Sequence, residues 1–307
     1  MARISVIIPT HNRAALLPRA VESALAAGRE IEAIVVDDAS SDETSRVCSR
    51  LAGIQYLRLN RNEGLAAARN AGIRASSADY LAFLDDDDVR LPGSLDRQVS
   101  VLEEEPAAAL CYGRVQFAAA RDGRLTGEVR PRRLHRGDIF WRLLAYNFIY
   151  VPSTVVRRRS LFEAGLFELD LEGVEDWYLW LRLAEEHPVL AVDDPLAIYR
   201  LADSNSGQMT SNQARMSAAS ERARVKAFCL TRVVEAPTKE LIALERLRRN
   251  LRSDRLIWSA ASALNDGKPR LALTKLFEAL HVNPMRASRP WTFRLLFSSI
   301  VRLRTGR

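Results

Sequence analysis

Apolar residues in the first part of the chain follow two alternating spacings, one typical of strands and one typical of helices. Short apolar runs rich in β-branched residues occupy residues 3–8 and 31–36, as expected for strands that are buried on both faces. Between them, apolar residues recur at Leu17, Val21 and Leu25, and Gly28 follows. This spacing indicates a helix that ends near the glycine. The pattern therefore predicts a strand, a helix and a second strand.

The same alternation continues to residue 85. It predicts a helix over 41–53, a strand over 54–60, a helix over 63–76 and a strand over 80–85. Strands that alternate with helices in this way form a parallel, doubly wound sheet with right-handed crossovers. Ligands of such sheets bind beyond the carboxyl ends of the strands. The predicted fold class is therefore α/β, with the functional groups at one edge of the sheet.

The second part of the chain has a mixed pattern and then a helical one. Up to residue 201 the predicted elements are a helix (92–106), a strand (109–117), a basic loop (121–136), a helix (137–148), a strand (153–158), a helix (175–187), and a strand, turn and edge strand (188–201). Residues 255–284 resemble a single tetratricopeptide-type helix pair, which we expect to form a helical hairpin. Residues 289–307 are apolar and flanked by arginine, which predicts a helix in a membrane interface or one packed on the hairpin.

Charge is distributed unevenly over the 307 residues. Residues 1–207 contain 25 Lys and Arg against 31 Asp and Glu, whereas residues 208–307 contain 20 against seven. We therefore expect a domain over 1–207, with halves 1–106 and 107–207, followed by a basic helical region. Such a region is typical of contact with an anionic partner, for example phospholipid, although well-solvated Arg-rich helices have the same composition. Nucleic acid is not expected, because aromatic interleaving and known binding modules are lacking.

Composition limits the class of protein further. With 48% hydrophobic and 27% charged residues the chain is expected to fold. Three cysteines are too few for a disulfide framework or a four-cysteine zinc site, which favours a reducing compartment, the cytoplasm by default. The sequence starts without a basic-then-apolar leader and has no run of 18 apolar residues, so neither secretion nor membrane spanning is expected.

Polar residues follow each of the first four predicted strands. They are PTHNR (9–13), DDAS (37–40), NRNEG (60–64) and DDDD (85–88). Neither a G-x-G-x-x-G sequence nor a G-x-x-x-x-G-K-[ST] sequence occurs, which disfavours a dinucleotide site and a P-loop. Four adjacent carboxylates repel one another, so basic side chains or a metal ion should lie beside them. A divalent cation could also bridge carboxylates to phosphate.

Five segments in this order resemble the family 2 inverting glycosyltransferases of the GT-A fold. They are SVIIPTHNR, VVDDASSDET, NEGLAAARNAG, YLAFLDDDD and EDWYLWLRLA, and the resemblance covers about residues 3–201. It implies a GT-A-type doubly wound, mostly parallel sheet, here with a C-terminal helical extension. It also implies an enzyme of hexosyltransferase type that uses a nucleoside-diphosphate sugar, for which we expect UDP.

The resemblance also implies a nucleotide site. Asp38, and with less support Asp37, would accept hydrogen bonds from the base or the ribose. His11 would stack on the base, or would simply be a loop histidine; Arg69 would be a polar contact to the nucleotide, or a surface residue of its helix. The remaining residues that the resemblance assigns to the nucleotide-sugar site are Pro9, Thr10, Arg13, Asn62 and Gly64.

The four aspartates match the family's DXD-type motif, which holds Mn²⁺ or Mg²⁺ against the donor diphosphate. Both Asp85-x-Asp87 and Asp86-x-Asp88 fit this spacing. We favour Asp87 as a direct metal ligand, with Asp85 as a ligand or ribose contact and Asp86 as a ribose contact or supporting group. Oxygen ligands suit a hard cation better than zinc.

The resemblance implies that Asp176 is the base that deprotonates the acceptor hydroxyl and that Glu175 supports it. Carboxylates in the first turn are also common helix caps, which is the alternative for both residues. Many relatives carry a basic residue shortly after the YR pair, where this chain has Ala202, so Arg200 and the loop 203–208 are expected to replace it.

The Q-x-x-R-W element of processive synthases is absent, which favours transfer of one or a few sugars to a cytoplasm-facing glycan or glycolipid acceptor. We expect this acceptor to be a glycolipid or polysaccharide precursor, with the basic helices in peripheral contact with the inner face of the cell membrane. Two alternatives stay open, namely a nucleotidyltransferase of similar fold and a catalytically inactive nucleotide-sugar-binding or assembly subunit.

Overall fold

The computed structural model describes residues 3–201 and 213–305. The chain divides into two compact units. The first comprises Met1–Leu143 and Asn147–Val234, and the second comprises Leu144–Tyr146 and Glu235–Arg307. The predicted loop 203–208 and Ala202 lie outside the described residues.

The first unit is built on a mixed sheet. Its strands in chain order are β1 (Ile4–Thr10), β2 (Ile31–Asp37), β3 (Ile54–Arg58), β4 (Tyr80–Phe83), β5 (Val89–Arg90), β6 (Leu110–Ala118), β7 (Leu125–Arg130), β8 (Val155–Arg157) and β9 (Val189–Arg200). They are ordered β3-β2-β1-β4-β8-β6-β9-β5, with β7 paired to β6. Strands β1 to β4 are parallel, as the sequence pattern predicts, and β6 is parallel to β9, whereas β8 is antiparallel to both of its neighbours.

Helices cover the sheet and complete the first unit. They are α1 (Leu17–Leu25), α2 (Thr44–Cys48), α3 (Leu65–Ala75), α4 (Ser94–Glu104), α5 (Phe140–Ala145), α6 (Arg158–Ala164), α7 (Glu175–Glu186), α8 (Gln213–Phe228) and α9 (Thr231–Val234). The apolar core lies between the sheet and these helices; Ile8, Val35 and Leu84 are among its fully buried residues.

Parallel pairing aligns the polar ends of the strands. Ile4 is in register with Ile31 at one end of the β1–β2 pair, and Thr10 is in register with Asp37 at the other. Because the strands end together, the segments that follow them meet at one edge, as expected.

Helix α3 lies unusually close to this sheet. A Cβ atom on Gly72 would lie only 2.6 Å from Ile7 Cγ2, which is well inside van der Waals contact. The glycine thus allows the helix backbone to approach β1, and this approach brings the adjacent turn, with Arg69 and Asn70, into the interior, where both side chains are buried.

Several elements differ from the sequence-based expectations, among them the two-residue strand β5, which the pattern did not predict. The basic loop 121–136 contains strand β7, which the apolar pattern missed because its first four residues are exposed. Residues 189–200 form one strand rather than a strand, a turn and an edge strand. Val192 and Pro195 pair with consecutive residues of β6, so Asp193 and Asp194 are accommodated as a bulge, which is how a strand absorbs extra residues without ending. Helix α6 was not predicted.

The second unit is helical. It contains α10 (Thr238–Asn265), α11 (Pro269–Val282), α12 (Pro284–Ala287) and α13 (Pro290–Thr305). Small and apolar residues from α10, α11 and α12 form its core, among them Ile257, Ala272 and Leu276. The predicted helical hairpin is therefore confirmed. Leu295 and Leu296 of α13 pack against the same cluster. Within the described residues, no helix is long and apolar enough to cross a membrane.

Candidate active site

Asn12 joins the loops that follow β1 and β2. Its backbone is in the left-handed region, with φ of 55°, a conformation that asparagine adopts more readily than most residues. Its side-chain Oδ1 accepts hydrogen bonds from the backbone N–H groups of Ser41 (2.7 Å) and Asp42 (3.3 Å). Its own N–H donates to Ser40 Oγ (2.9 Å). The two loops therefore form one continuous surface.

His11 lies exposed on this surface. Its Nδ1 is 2.7 Å from the backbone oxygen of Asp38, so one ring nitrogen is held by the neighbouring loop while the ring stays accessible. Pro9 and Thr10 are buried just before it, at the end of β1. The structure thus brings these three predicted residues next to Asp38.

Asp37 is fully buried beneath the same surface. One of its oxygens accepts a hydrogen bond from the Ser40 N–H (2.7 Å), and the other accepts from Tyr56 Oη and Arg58 Nη1, both at 2.6 Å. Burial on its own would raise the pKa of Asp37, but the hydrogen bonds from Ser40 and Tyr56 and the Arg58 charge outweigh it, so the pKa is lowered. Both oxygens hold protein groups, which makes Asp37 a support of the loop.

Asp38 organises the loop that follows β3. Its Oδ1 accepts a hydrogen bond from the Glu63 N–H (2.7 Å), and its Oδ2 accepts one from the Gly64 N–H (2.8 Å). Gly64 has a φ of 91°, which favours glycine, and it precedes α3. Asn62 is exposed in this loop. The predicted nucleotide residues from the three loops are therefore contiguous.

Arg13 lies against two of the four adjacent aspartates. Its Nη1 donates to Asp86 Oδ1 (3.0 Å) and to Asp87 Oδ2 (2.8 Å). Thr10 Oγ1 donates to the other oxygen of Asp86 (2.7 Å). Burial and the Asp87 charge raise the pKa of Asp86 to about 7, and Arg13 and Thr10 oppose this shift. A basic side chain thus offsets part of the repulsion that the sequence predicts.

Arg69 connects two acidic segments that are far apart in the chain. Its Nη2 donates to Asp85 Oδ1 (2.7 Å) and its Nη1 donates to Glu175 Oε1 (2.6 Å). The guanidinium lies 5.4 Å from the centre of the Phe167 ring, and the Arg69 side chain is only 2% exposed. Burial opposes the charge, but the two carboxylates raise the pKa of Arg69 above its ordinary value. Arg69 is therefore a buried bridge and not a surface residue of its helix.

Asn70, the next residue, makes a second connection to the same distant segment. Its Nδ2 donates to the backbone oxygen of Phe167 (2.8 Å), and its Oδ1 accepts from the Phe167 N–H (3.0 Å). Two adjacent residues of α3 thereby hold the segment that leads into α7. The signal in the sequence is the pair of adjacent polar residues between small residues in the middle of the helix, and the resemblance assigned a role only to Arg69.

Asp88 and Arg200 meet at the end of β9. The Arg200 N–H donates to Asp88 Oδ1 (2.8 Å), and the Arg200 guanidinium donates through Nε and Nη2 to the backbone oxygen of Ala120, at 3.0 and 2.6 Å. Oδ2 of Asp88 is buried and accepts no hydrogen bond. Burial and the charges of Asp85 and Asp87 raise the pKa of Asp88 well above its ordinary value.

Glu175 and Asp176 form the first turn of α7. Glu175 Oε2 accepts a hydrogen bond from the Gly173 N–H (2.5 Å), in addition to the bond from Arg69. Asp176 Oδ1 accepts from the Trp177 N–H (2.6 Å), and its Oδ2 is 3.3 Å from the amide nitrogen of Asn147. Both carboxylates therefore meet backbone N–H groups near the start of the helix, as capping carboxylates do, and each has a further side-chain partner.

The pKa of Asp176 is raised to about 7. Burial is the largest cause and the charge of Glu175 adds to it, whereas Arg69, the Trp177 N–H and Asn147 favour the ionised form. A carboxylate with a pKa near neutrality is suited to accept a proton at neutral pH. Asn147 was not predicted from the sequence, because it is 29 residues away from Asp176 along the chain.

The carboxylates suit a hard divalent cation in their chemistry. Among the described residues, no group of three or more His, Cys, Asp and Glu side chains is placed to hold a metal ion by itself. Mg²⁺, however, commonly takes only one or two carboxylates and completes its shell with water and phosphate oxygens. Asp87 contacts Arg13 and Asp85 contacts Arg69, two of the predicted nucleotide residues, and both aspartates provide oxygen donors of this kind. The uncompensated buried oxygen of Asp88 fits a nearby positive charge as well.

Residues 5–165 match the model of the family "Glycosyl transferase family 2". The chain belongs to glycosyltransferase family 2. The match covers more than half of the 307 residues, and it includes the three loops and the aspartates described above. The resemblance to this family is thus confirmed, and the match includes the first four of the five sequence segments.

Relatives of this family 2 chain come from several bacteria. An uncharacterized glycosyltransferase of Rickettsia bellii is 30% identical over 218 residues, which cover 69% of this chain and 31% of that protein. The uncharacterized glycosyltransferase YwdF of Bacillus subtilis is 27% identical over 274 residues, 87% of this chain and 97% of that protein. This chain therefore spans about a third of the length of the Rickettsia relatives.

Solved structures confirm the GT-A-type fold of this family 2 chain. TarS 1–349 from S. aureus in complex with UDP-GlcNAc has a TM-score of 0.63 at 16% identity, covering 100% of this chain and 93% of that one. The mannosyltransferase PcManGT from Pyrobaculum calidifontis, in complex with GDP-Man and Mn²⁺, has a TM-score of 0.57 at 19% identity and covers 98% of this chain and 86% of that one.

Proposed function

We propose that the protein transfers a sugar from a nucleoside-diphosphate sugar, which we expect to be a UDP-sugar, to an acceptor hydroxyl with inversion at the anomeric carbon. The observation that carries the proposal is the Arg69 bridge. It joins Asp85, in the predicted donor site, to Glu175, the neighbour of the predicted base. A donor site and a proton acceptor that are held together in this way suit a single displacement, in which the attacking oxygen and the leaving diphosphate lie on opposite sides of one carbon.

Donor binding is assigned to the surface formed by the three loops. His11 is exposed where a base could stack on its ring, and Thr10, Arg13, Asn62 and Gly64 lie along the same surface or beside it. Asp37 and Asp38 contribute by holding the loops, and Asp38 would reach the base only by sharing oxygens that already accept two N–H groups. Arg200, at the end of β9, is the last residue assigned to donor binding.

A divalent cation, Mn²⁺ or Mg²⁺, would be held by Asp85 and Asp87, and it would supply charge stabilisation for the departing diphosphate. Asp86 would support these residues through its hydrogen bonds from Thr10 and Arg13. Arg13 balances the charge of Asp86 and Asp87, and its guanidinium could also contact the diphosphate.

Asp176 would act as the base. A carboxylate oxygen takes the proton of the acceptor hydroxyl as that oxygen forms its bond to the anomeric carbon, while the bond to the diphosphate breaks and its electrons leave with the diphosphate. The pKa of about 7 supports this role, because the group is ionised in a useful fraction of molecules at neutral pH and still holds a proton firmly. Glu175 positions the helix start through Gly173 and Arg69.

The test is a comparison of Asp176→Asn with the unsubstituted protein. The amide keeps the size of the side chain but does not accept the proton, so transfer and donor hydrolysis should fall by at least about a hundredfold. The rise in melting temperature that UDP and Mn²⁺ produce should be unchanged. Retention of transfer in Asp176→Asn would refute the assignment of the base, and loss of the UDP-dependent shift would make Asp176 a structural residue. No shift with UDP, GDP or dTDP would refute the donor site.

The acceptor is proposed to be a glycolipid or polysaccharide precursor in the cytoplasm. The alternative of a catalytically inactive nucleotide-sugar-binding subunit predicts a different result in the same experiments. The donor would raise the melting temperature of the unsubstituted protein, but no transfer would be observed. A nucleotidyltransferase would instead release pyrophosphate from a nucleoside triphosphate.

A further inference from the structure

Helix α13 carries large apolar side chains toward solvent. Phe293, Phe297 and Ile300 are 53%, 70% and 40% exposed, and they follow one another at spacings of four and three residues, which places them on one side of the helix. We name these three residues the outer face of α13. Trp291 is 36% exposed at the start of the same helix, and its ring lies 5.8 Å from that of Trp258.

The opposite side of α13 already packs within its own unit. Leu295 and Leu296 contact the core of the helical unit, and Thr292 and Ser299 are buried. The Arg302 guanidinium donates to the backbone oxygen of Leu264 (2.6 Å). One apolar side thus holds the helix in its unit, and a second apolar side is exposed. An ordinary surface helix has only one apolar side, which faces the core. Contiguous exposed apolar side chains of this kind mark interaction sites.

The segment that contains the outer face is basic. Residues 289–307 contain five arginines and no aspartate or glutamate, and residues 235–307 contain 15 Lys and Arg against six Asp and Glu. Arg289 and Arg294 are the arginines on either side of Phe293 in the sequence. Apolar residues flanked by arginine on a helix that does not span the bilayer are typical of helices that lie in the interface of an anionic membrane.

We propose that the outer face of α13 binds an anionic phospholipid surface, with its aromatic rings at the level of the head groups and with Arg289 and Arg294 on the lipid phosphates. A second copy of the chain is a poorer partner. A two-fold contact would place the same face against itself, so that arginines would meet arginines, which is repulsive. The proposal does not depend on the transfer reaction, because binding is measured without donor or acceptor.

The experiment uses the full chain and sedimentation with vesicles. The probes are vesicles of phosphatidylcholine alone and vesicles that contain phosphatidylglycerol in addition. We expect binding to the anionic vesicles only, and binding should weaken as salt is raised, because salt screens the arginines. The double substitution Phe293→Ser with Phe297→Ser should lower the partition coefficient about tenfold or more, since two exposed rings no longer enter the interface. Phe277→Ser on α11, where the ring is 62% exposed, is the matched control and should bind as the unsubstituted protein does.

Several results overturn the proposal. If the double variant bound vesicles as well as Phe277→Ser does, the membrane contact would lie elsewhere. The same would follow if Phe277→Ser lost as much binding as the double variant. Binding to neutral vesicles as strong as to anionic ones would remove the role of the arginines. Light scattering that shows a dimer for the unsubstituted protein and a monomer for the double variant would assign the outer face to a second copy. Circular dichroism of each variant must match that of the unsubstituted protein, and if serine disturbs the helix, Phe297→Gln alone serves the same comparison.

Discussion

Replacement of Arg69 by methionine would remove the cation that lies between Asp85 and Glu175. Methionine fills most of the volume of the arginine stem but provides no hydrogen-bond donor, so both carboxylates lose a partner at 2.7 and 2.6 Å. Glu175 is 3% exposed at its side chain and would be left as a buried charge with only the Gly173 N–H, whereas Asp85 is 31% exposed and can turn to water.

The expected cost follows from this difference in burial. Removing one partner of a buried ion pair typically costs about 3–5 kcal/mol, and we assign most of it to Glu175, because water screens the charge of Asp85. With a urea dependence of about 2–3 kcal/mol per molar for a unit of this size, the unfolding midpoint should fall by about 1.5 M. The midpoint of Arg69→Lys should lie between those of Arg69→Met and the unsubstituted protein, because an ammonium group contacts one carboxylate better than two.

The matched control for this prediction is Arg74→Met, on the same helix but exposed. Its midpoint should change little, since exposed substitutions usually shift stability by less than about 0.5 kcal/mol. Urea unfolding followed by circular dichroism measures all three variants. If the midpoint fell no more in Arg69→Met than in Arg74→Met, the bridge would not hold the two segments together. The bridge would then no longer support the proposed function.

Further predictions concern the base, the close helix contact and the arginine beside the aspartates. Because the pKa of Asp176 is about 7 and the base acts when ionised, the rate of transfer should rise with pH and level off above about 7; a flat profile from pH 5 to 9 would contradict this. Asn147→Leu removes a donor that favours the ionised form, so the same profile should move to higher pH, whereas a purely structural effect would lower the rate equally at every pH. Since folding raises the pKa of Asp176 from 3.8, ionisation costs stability progressively above that pH and fully above about 7, so Asp176→Asn should raise the melting temperature at pH 8 relative to its effect at pH 4. Gly72→Val places atoms against β1 and should lower the melting temperature by several degrees, with Arg74→Val, at an exposed position of the same helix, as a control that shares only the cost of a β-branched residue in a helix. Arg13→Gln should bind Mn²⁺ alone more tightly by calorimetry, because the cation no longer competes with a guanidinium for Asp87.

The sequence was sufficient to predict the parallel strands and the edge where their loops meet. Strands β1, β2 and β4 have apolar runs that are buried along most of their length, and this pattern is local. Strand β7 carries no such pattern, because its first four residues are exposed and no buried apolar residue alternates with them. Strand β9 was divided in the prediction because two aspartates and a proline usually end a strand, whereas pairing with β6 on one side carries it through a bulge.

The partners of the site residues could not be predicted from the sequence. The residue types at the site were recognisable from their motifs, but Arg69 is 106 positions away from Glu175 and Asn147 is 29 positions away from Asp176. Nothing local indicates such pairs. The burial of Arg69 depends on the approach of α3 to β1, which is a property of the packed sheet and helix.

The adjacent residues Arg69 and Asn70 determine where the proposed base lies. Both side chains extend from α3, which begins after the loop that follows β3, and both contact the segment 167–175. We infer that α3 sets the distance between the proposed proton acceptor and the proposed donor site. We expect strand β7 and the turn before it to be exchangeable between relatives, so that acceptor preference can diverge during evolution while the proposed reaction geometry is inherited unchanged.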